Sequence, residues 1–183
     1  MSINIFIIRH FKTFYDSNDL EKIRYEKGFD QSKFFVEFIG KFIDKNPKIN
    51  KIKFITSPQD RTIITSLIIS SNLKTYILKQ KIRNIEIIDP VIDKQVDRDP
   101  KKKRKDNVCG YFKNKIQSEF NDNTIYIYIT HSSIIYNTFK CIIDNMVHKT
   151  TTDFNEKIHG FSLSYLIKSK DKIHFEFNKN MKK

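Results

Sequence analysis

Three short apolar runs constrain the fold of this chain more than any other feature of its sequence. They cover Ile3 to Ile8, Ile52 to Thr56 and Thr124 to Thr130. A run of this length that is apolar almost throughout is typical of a strand buried on both faces of a sheet. Helical segments lie between the runs, and this alternation predicts an α/β sandwich whose central strands are mostly parallel.

Helical periodicity is clearest between Gln31 and Asn46, where phenylalanine and isoleucine recur at three- and four-residue spacing. This spacing predicts an amphipathic helix. The other predicted helices run from Pro58 to about Ser71, from Val108 to Phe120, and from about Ile134 to Val147. Short strands are predicted at Tyr76 to Leu78 and Ile85 to Ile88, and a closing hairpin at Phe161 to Lys168 and Lys172 to Phe177.

The segment from Asp89 to Asn107 has a different character. It contains two prolines, several acids and the basic run Lys101 to Lys105. We therefore predict an exposed loop or lid at about residues 89–107. The basic run is interpreted as part of a solvated loop, with attraction of an anionic substrate, nuclear import or contact with nucleic acid as the alternatives.

The length of 183 residues suits a single domain over residues 1–183. A domain of this size buries roughly 70% of its unfolded surface and needs no disulfide or structural metal. Cys109 and Cys141 lack metal-ligand spacing and are interpreted as plain thiols. No apolar run reaches the roughly 18–20 residues of a membrane span, and the N-terminal run lacks the flanks of a secretory signal. We therefore predict a cytoplasmic protein without a membrane partner.

The positive charge of the chain says little about its partners. Lys and Arg total 34 against 21 Asp and Glu, for a net charge of +13. The chain has no alanine or tryptophan, is rich in Lys, Ile and Asn, and has only six arginines, a pattern typical of A/T-rich coding. No RNA-binding signature accompanies the lysines, so nucleic acid is disfavoured as a partner. A basic surface would still attract anionic substrates.

Charged side chains follow each of the three predicted buried strands. Arg9 and His10 follow the first, Arg61 comes one helical turn after the second, and His131 follows the third. Ligands of open α/β sheets bind at the carboxyl ends of the strands. Guanidinium groups bind phosphate oxygens in bidentate fashion, and a histidine among arginines is disfavoured as imidazolium. The sequence therefore predicts a phosphate site in which a neutral imidazole could attack phosphorus.

These strand ends also resemble the motifs of a known family. Residues 9–13, Arg-His-Phe-Lys-Thr, are similar to the Arg-His-Gly-x-Thr motif of the histidine phosphatase superfamily, in its phosphoglycerate-mutase-like branch. Residues 57–61 resemble its Ser-Pro-x-x-Arg segment, and residues 130–133 resemble its Ser-His-Gly-Gly. Residues 25–32 are similar to the family's entry into its first helix. The four segments occur in family order over most of the chain.

The resemblance implies a three-layer α/β/α sandwich and a phosphatase that needs no cofactor and no metal. It implies that His10 is the nucleophile that becomes phosphohistidine. Arg9, Arg61 and His131 would form the phosphate pocket, with Thr13 as a minor contributor. The substrate would be a small phosphorylated molecule or a phosphoprotein, and the sequence does not indicate an oligomeric state.

A general acid must protonate the leaving alcohol and then activate water. In the resembled branch this acid usually follows the strand after the Arg61-type helix, and Asp93 is the nearest match here. Asp89 and Asp97 are alternatives. A carboxylic acid that stays protonated beside the bound phosphate could perform this step.

Phe11 stands where the family has glycine, and Ser132-Ser133 stand where it has Gly-Gly. We expect Phe11 either to fill part of the pocket or to shift the backbone, since glycine permits conformations that phenylalanine resists, and we expect Ser132-Ser133 to narrow the same pocket. They leave a phosphate- or phosphoprotein-binding relative without turnover as the main alternative to a phosphatase. A phosphoglycerate-type mutase is disfavoured at this length, and a basic nucleic-acid-binding protein is the third hypothesis.

Overall fold

The computed structural model of the chain describes residues 3–11, 13–15, 21–23, 25–82, 84–97, 105–138, 162–169 and 172–180. The eight strands in this part of the chain are β1 (Ile3–Arg9), β2 (Thr13–Tyr15), β3 (Glu21–Ile23), β4 (Lys51–Thr56), β5 (Glu86–Ile92), β6 (Thr124–Thr130), β7 (Ser162–Ser169) and β8 (Lys172–Asn180). The helices are α1 (Tyr25–Lys45), α2 (Asp60–Lys79) and α3 (Lys105–Ser118). A short 3-10 helix covers Lys94–Val96, and residues 132–138 are also helical.

Six of the strands form one sheet in the order β5-β4-β6-β1-β7-β8. The first four are parallel to one another. β7 pairs antiparallel with β1 and with β8, which confirms the predicted closing hairpin. β2 and β3 form a separate antiparallel pair. The predicted α/β fold with a mostly parallel central sheet is therefore confirmed.

Helices cover both faces of the sheet, which gives three layers. On one face, α1 and α2 bury side chains such as Phe35, Ile39 and Leu73 against the sheet. On the other face, Val108 and Phe112 of α3 pack against the sheet, together with residues that follow β6. β1 and β6 contribute to both clusters, because successive side chains of a strand point to opposite faces. Their apolar sequences are explained by this double burial.

The predicted strand at Tyr76 to Leu78 is wrong, because α2 continues through these residues to Lys79. Ile77 is 7% exposed and packs into the core, whereas Leu78 is 77% exposed. A helix that buries one stripe presents neighbouring residues to different environments. Residues 76–78, which we predicted as a strand, therefore form the last turn of a long amphipathic helix.

The prediction of an exposed loop from Asp89 to Asn107 is wrong at both ends. Residues 89–92 belong to β5, and residues 105–107 belong to α3. Pro90 lies where the β4–β5 register shifts, at the edge of the sheet, and proline is tolerated at such positions. The exposed side chain of Val91 agrees with an edge strand. Residues 98–104, with most of the basic run, lie outside the described residues, so the lid stays a prediction.

Cys109 in α3 is disulfide-bonded, so its interpretation as a plain thiol is wrong. Cys141 lies outside the described residues. Disulfides are rare in cytosolic proteins and form in oxidising compartments. The bond therefore removes one support of the cytoplasmic prediction. Within the described ranges, no helix is long and apolar enough to cross a membrane.

Candidate active site

The register of the central strands brings Arg9, His10 and His131 together at the carboxyl ends of β1 and β6. Arg9, the last residue of β1, is paired with Thr130, the last residue of β6. The backbone N–H of His10 then donates to the Thr130 carbonyl oxygen at 3.1 Å. His10 and His131 are therefore neighbours, and their ring centroids lie 5.2 Å apart. Both histidines are buried.

The imidazole of His10 is held in one tautomer. Its Nδ1 lies 2.7 Å from the carbonyl oxygen of Phe11. Because a carbonyl oxygen can only accept, Nδ1 carries the proton and Nε2 keeps its lone pair. Burial and, to a smaller extent, the charges of His131, Arg61 and Arg9 together lower the pKa of His10 to about 3, against the opposing effect of the hydrogen bond to the Phe11 carbonyl. His10 is thus neutral at physiological pH, with a lone pair on Nε2.

The two arginines belong to the same group of charges. Arg61 lies in the first turn of α2 and is 9% exposed. Burial lowers the pKa of Arg9, and the nearby charge of Arg61 lowers it further. Both arginines also act electrostatically on His10. Two guanidinium groups held near each other, beside a neutral histidine, form a strongly anion-attracting site.

His131 has polar neighbours on its Nε2 side. The Ser57 hydroxyl oxygen lies 3.2 Å from Nε2, and a carboxylate oxygen of Asp97 lies 3.6 Å from the same nitrogen. The hydroxyl groups of Ser57 and Thr62 are 2.8 Å apart. Thr62 also donates to the Ser57 carbonyl oxygen at 2.8 Å. The turn from β4 into α2 therefore fixes the ring of His131.

The three candidate acids have different surroundings. Asp93 accepts a hydrogen bond from the backbone N–H of Gln95 and another from the Tyr111 hydroxyl, both at 2.8 Å. Asp89 forms an exposed ion pair with Lys74. Asp97 is the one acid of the three that lies within ion-pair distance of a site histidine in the described part of the chain, with 3.6 Å between its carboxylate and His131 Nε2. Asp93 was the first choice from the sequence, and the assignment of the general acid among the three stays a prediction.

Phe11 does not have the effect on the pocket that we expected from its size. Its ring is fully buried in the core that contains α1 and α2. A Cβ atom added to Gly28 of α1 would lie 2.8 Å from the Phe11 ring, so the glycine makes room for it. The Phe11 N–H donates to Thr65 Oγ1, which in turn donates to the Arg61 carbonyl oxygen. Phe11 thus contributes to the site through its backbone, because its carbonyl oxygen holds His10 and its N–H binds Thr65.

Thr13 and the two serines after His131 are the other residues that the sequence placed at the site. Thr13 is the first residue of β2, and its side chain lies outside the described part of the structure. Ser132 and Ser133 begin the helical segment 132–138, and Ser133 is exposed. No group of three or more His, Cys, Asp or Glu side chains that could hold a metal ion occurs in the part of the chain that the structure describes.

Sequence reasoning missed Tyr111 and the hydrogen-bonding role of Ser57. Ser57 was visible as part of a motif, but nothing in the motif shows that its hydroxyl reaches His131. Tyr111 lies in α3, 18 residues after Asp93 along the chain. No local pattern connects these two residues, because their contact depends on how α3 packs against the sheet.

Comparison with known proteins identifies the fold. No protein-family model and no curated protein matches the chain. A phosphoglycerate mutase from Bacillus anthracis is similar in structure, with a TM-score of 0.56 and 10% identity over 98% of this chain and 94% of that one. A putative phosphohistidine phosphatase SixA from Agrobacterium tumefaciens has a TM-score of 0.53 and 13% identity, covering 95% of this chain and 97% of its own.

A mycobacterial glucosyl-3-phosphoglycerate phosphatase, whose structure is a complex with VO3, is similar with a TM-score of 0.55 and 13% identity. The match covers 97% of this chain and 100% of the phosphatase. Identities this low demonstrate a shared fold and not a shared activity. The chain therefore has the phosphoglycerate-mutase-like fold of the histidine phosphatases, and the resemblance seen in its motifs is confirmed at the level of the fold.

Proposed function

We propose that this chain hydrolyses phosphomonoesters through a phosphohistidine formed on His10. The observation that carries the proposal is the state of the His10 ring. The Phe11 carbonyl fixes the proton on Nδ1, and a pKa of about 3 keeps the ring neutral, so Nε2 offers a lone pair beside an anion-attracting site. A buried neutral imidazole surrounded by cationic groups is well suited to attack a bound phosphate.

The reaction has two steps. In the first, His10 Nε2 forms a bond to phosphorus, the bond from phosphorus to the ester oxygen breaks, and the leaving alkoxide takes a proton from a carboxylic acid. In the second, the resulting carboxylate takes a proton from water, whose oxygen forms a bond to phosphorus as the bond from phosphorus to His10 Nε2 breaks. Inorganic phosphate leaves, and His10 and the carboxylic acid return to their starting states.

Arg9, Arg61 and His131 are the proposed phosphate-binding groups. Phosphoryl transfer depends mainly on placement of the reacting groups and on neutralisation of charge. The two guanidinium groups supply charge and a planar array of donors, and His131 supplies a donor close to the nucleophile. This proposal gives no role to a metal ion in binding or in chemistry.

Asp97 is the proposed general acid. Its carboxylate lies 3.6 Å from His131 Nε2, and its side chain is 18% exposed, so it is close to the group that would contact the phosphate. A bound phosphate carries negative charge, which favours the protonated form of a carboxyl group beside it. Asp93 is a weaker candidate because both of its oxygens already accept hydrogen bonds.

The named relatives support a hydrolase of this kind. Two proteins that share the fold are called a phosphohistidine phosphatase and a glucosyl-3-phosphoglycerate phosphatase. Their identity to this chain is too low to transfer either substrate. The proposal therefore specifies the phosphomonoester bond and leaves the alcohol or protein that carries it undefined.

Hydrolysis of p-nitrophenyl phosphate, measured with and without a chelator, tests the proposal. We expect activity that survives the chelator and disappears in His10→Ala. Tight binding of inorganic phosphate without turnover would instead support a silent binding domain. Salt-sensitive binding of DNA or RNA that persists in His10→Ala would support a nucleic-acid-binding protein.

A further inference from the structure

The turn that carries Asp97 is attached to the ends of two central strands. The turn consists of residues 93–97, here called the 93–97 turn. The backbone N–H of Asp93 donates to the carbonyl oxygen of Thr56, the last residue of β4, at 2.8 Å. The Thr130 hydroxyl, at the end of β6, donates to the Val96 carbonyl oxygen. The turn therefore lies across the same strand ends that bear the candidate site.

The side chain of Asp93 holds the turn together from within. Asp93 Oδ1 accepts the backbone N–H of Gln95 and so caps the 3-10 helix, while Asp93 Oδ2 accepts the Tyr111 hydroxyl. The first hydrogen bond closes the turn on itself, and the second joins the start of the turn to α3. Val96, whose side chain is fully buried, anchors the other end of the turn in the core beside α3.

Tyr111 remains a donor to Asp93 over the whole physiological pH range. Burial raises the pKa of Tyr111, and the neighbouring Tyr128 and Asp93 raise it further. Burial also raises the pKa of Tyr128, whose hydroxyl oxygen lies 3.5 Å from that of Tyr111. The phenol is thus kept protonated and able to donate to Asp93.

We propose that Asp93 and Tyr111 are positioning residues that hold the 93–97 turn so that Asp97 stays against His131. This inference rests on the proposed function for the meaning of that contact in catalysis. It assigns to Asp93 a role different from that of a proton donor. Asp93 acts through the backbone of the turn, and the carboxylate that reaches the histidine is that of Asp97.

Substitutions at Asp93 distinguish positioning from acid catalysis. In Asp93→Asn the amide oxygen still accepts the Gln95 N–H, because asparagine caps helices as well as aspartate does. In Asp93→Ala both hydrogen bonds of the side chain are lost. If Asp93 is a positioning residue, Asp93→Asn should keep much of the contact between Asp97 and His131, and of the activity, that Asp93→Ala loses. If Asp93 is the general acid, both variants should lose activity to the same extent.

The first measurement is the NMR chemical shift of the His131 ring in the free protein, which needs no turnover. The Asp97→Asn variant is the reference, because it gives the chemical shift of the His131 ring when the Asp97 carboxylate is absent. We expect Asp93→Ala and Tyr111→Phe to move the His131 signals toward that value, and Asp93→Asn to return them toward wild type. Tyr126→Phe is the matched control, because it removes another buried tyrosine hydroxyl, whose hydrogen bonds are to Glu119 and Asn121.

The second measurement compares kcat/KM for an alkyl phosphate and for p-nitrophenyl phosphate, whose leaving group scarcely needs a proton. We expect Asp93→Ala to lower the alkyl value by about 10- to 100-fold, as small misplacements of catalytic groups do, with a smaller effect on the aryl ester. Tyr111→Phe should also lower kcat/KM more for the alkyl phosphate than for the aryl ester, but by a smaller factor. The double variant with Asp93→Ala and Asp97→Asn should have a kcat/KM for the alkyl phosphate that is little lower than that of Asp97→Asn alone.

The possible failures can be told apart. Unchanged His131 shifts in Asp93→Ala and Tyr111→Phe would overturn the positioning role, whether or not the protein is active. Asp93→Asn as damaging as Asp93→Ala, together with a harmless Asp97→Asn, would make Asp93 the acid and overturn it as well. A wild-type protein without turnover would remove the proposed function, while the NMR comparison would still decide whether Asp93 and Tyr111 hold Asp97.

Discussion

His10 and His131 lie side by side at the ends of two adjacent parallel strands, with ring centroids 5.2 Å apart and ring planes inclined by 64°. The strand register that pairs Arg9 with Thr130 produces this arrangement, because the next residue of each strand is a histidine. Residues separated by more than a hundred positions in the sequence thus meet through backbone hydrogen bonds. The proposed chemistry depends on this pairing and on the neutral state of the His10 ring.

The low pKa of His10 can be observed directly. We expect its ring signals, assigned by comparison with His10→Asn, to show no titration between pH 5 and 8 in an NMR experiment. The reason is burial, reinforced by the charges of His131, Arg61 and Arg9, which together lower the pKa to about 3. A transition near pH 6.5 would show an exposed, ordinary histidine and would contradict the site geometry.

The same lowered pKa makes folding stability depend on pH. Below pH 6.5 the unfolded chain binds a proton at His10, while the folded protein does so only near pH 3. The unfolded state is therefore favoured as the pH falls through this window, and stability is fully retained above pH 6.5.

Urea unfolding at pH 7 and pH 5 measures this effect. From pH 7 to pH 5 the wild type should lose about 2 kcal/mol more than His10→Asn, whose side chain does not titrate. Equal losses in the two proteins would mean that His10 does not contribute to the acid sensitivity of folding.

Gly28→Ala tests the close packing of Phe11. The new Cβ atom would lie 2.8 Å from the Phe11 ring, which must then shift together with the carbonyl group that holds His10. We expect a loss of about 1–3 kcal/mol in the free energy of unfolding and a reduced rate of hydrolysis.

Gly110→Ala is the matched control for this substitution. Among the described residues, nothing outside the backbone of α3 and the two chain neighbours lies within 4 Å of a Cβ atom added to Gly110 of this helix. Alanine should there stabilise the protein by about 0.5–1 kcal/mol and leave hydrolysis unchanged. A harmless Gly28→Ala would show that the Phe11 ring is not held against this helix.

Ser57→Ala tests the group that orients His131. The substitution removes the hydroxyl that lies 3.2 Å from His131 Nε2 and 2.8 Å from the Thr62 hydroxyl. We expect hydrolysis to fall by about tenfold, because the second histidine is then less well placed. The free energy of unfolding should fall by about 1 kcal/mol.

Ser66→Ala is the comparison for Ser57→Ala. Ser66 is equally buried in α2, and its hydroxyl donates to the Ile63 carbonyl oxygen. Its removal should cost similar stability without affecting hydrolysis. If the two variants lose activity to the same extent, the contact between Ser57 and His131 has no specific role.

The sequence was sufficient to predict the strands that carry the site. β1 and β6 are buried on both faces, so their apolar runs predicted them to within one residue at each end. The strand-end position of Arg9, His10 and His131 followed from those boundaries. The strand predicted at Tyr76 to Leu78 failed because local propensity for a strand was overridden by the amphipathic packing of α2.

The sequence favours Asp93 as the general acid and does not show the contacts on which our proposal of Asp97 rests. Both belong to one short acidic segment, and their spacing to a family motif favours Asp93. The proposal of Asp97 rests on its contact with His131, in a turn that has a capped 3-10 helix and a hydrogen bond from Tyr111. Such contacts arise only when α3 packs against the sheet, and they leave no pattern in the chain.

Trapping of the phosphorylated protein tests the central claim most directly. The wild-type protein should be mixed with a phosphomonoester, quenched within milliseconds in alkali and digested for mass spectrometry. We predict phosphate on the peptide that contains His10, stable to alkali and lost in acid, and absent from His10→Asn. Steady hydrolysis of the ester without phosphate on His10, or hydrolysis that persists in His10→Asn, would contradict the account.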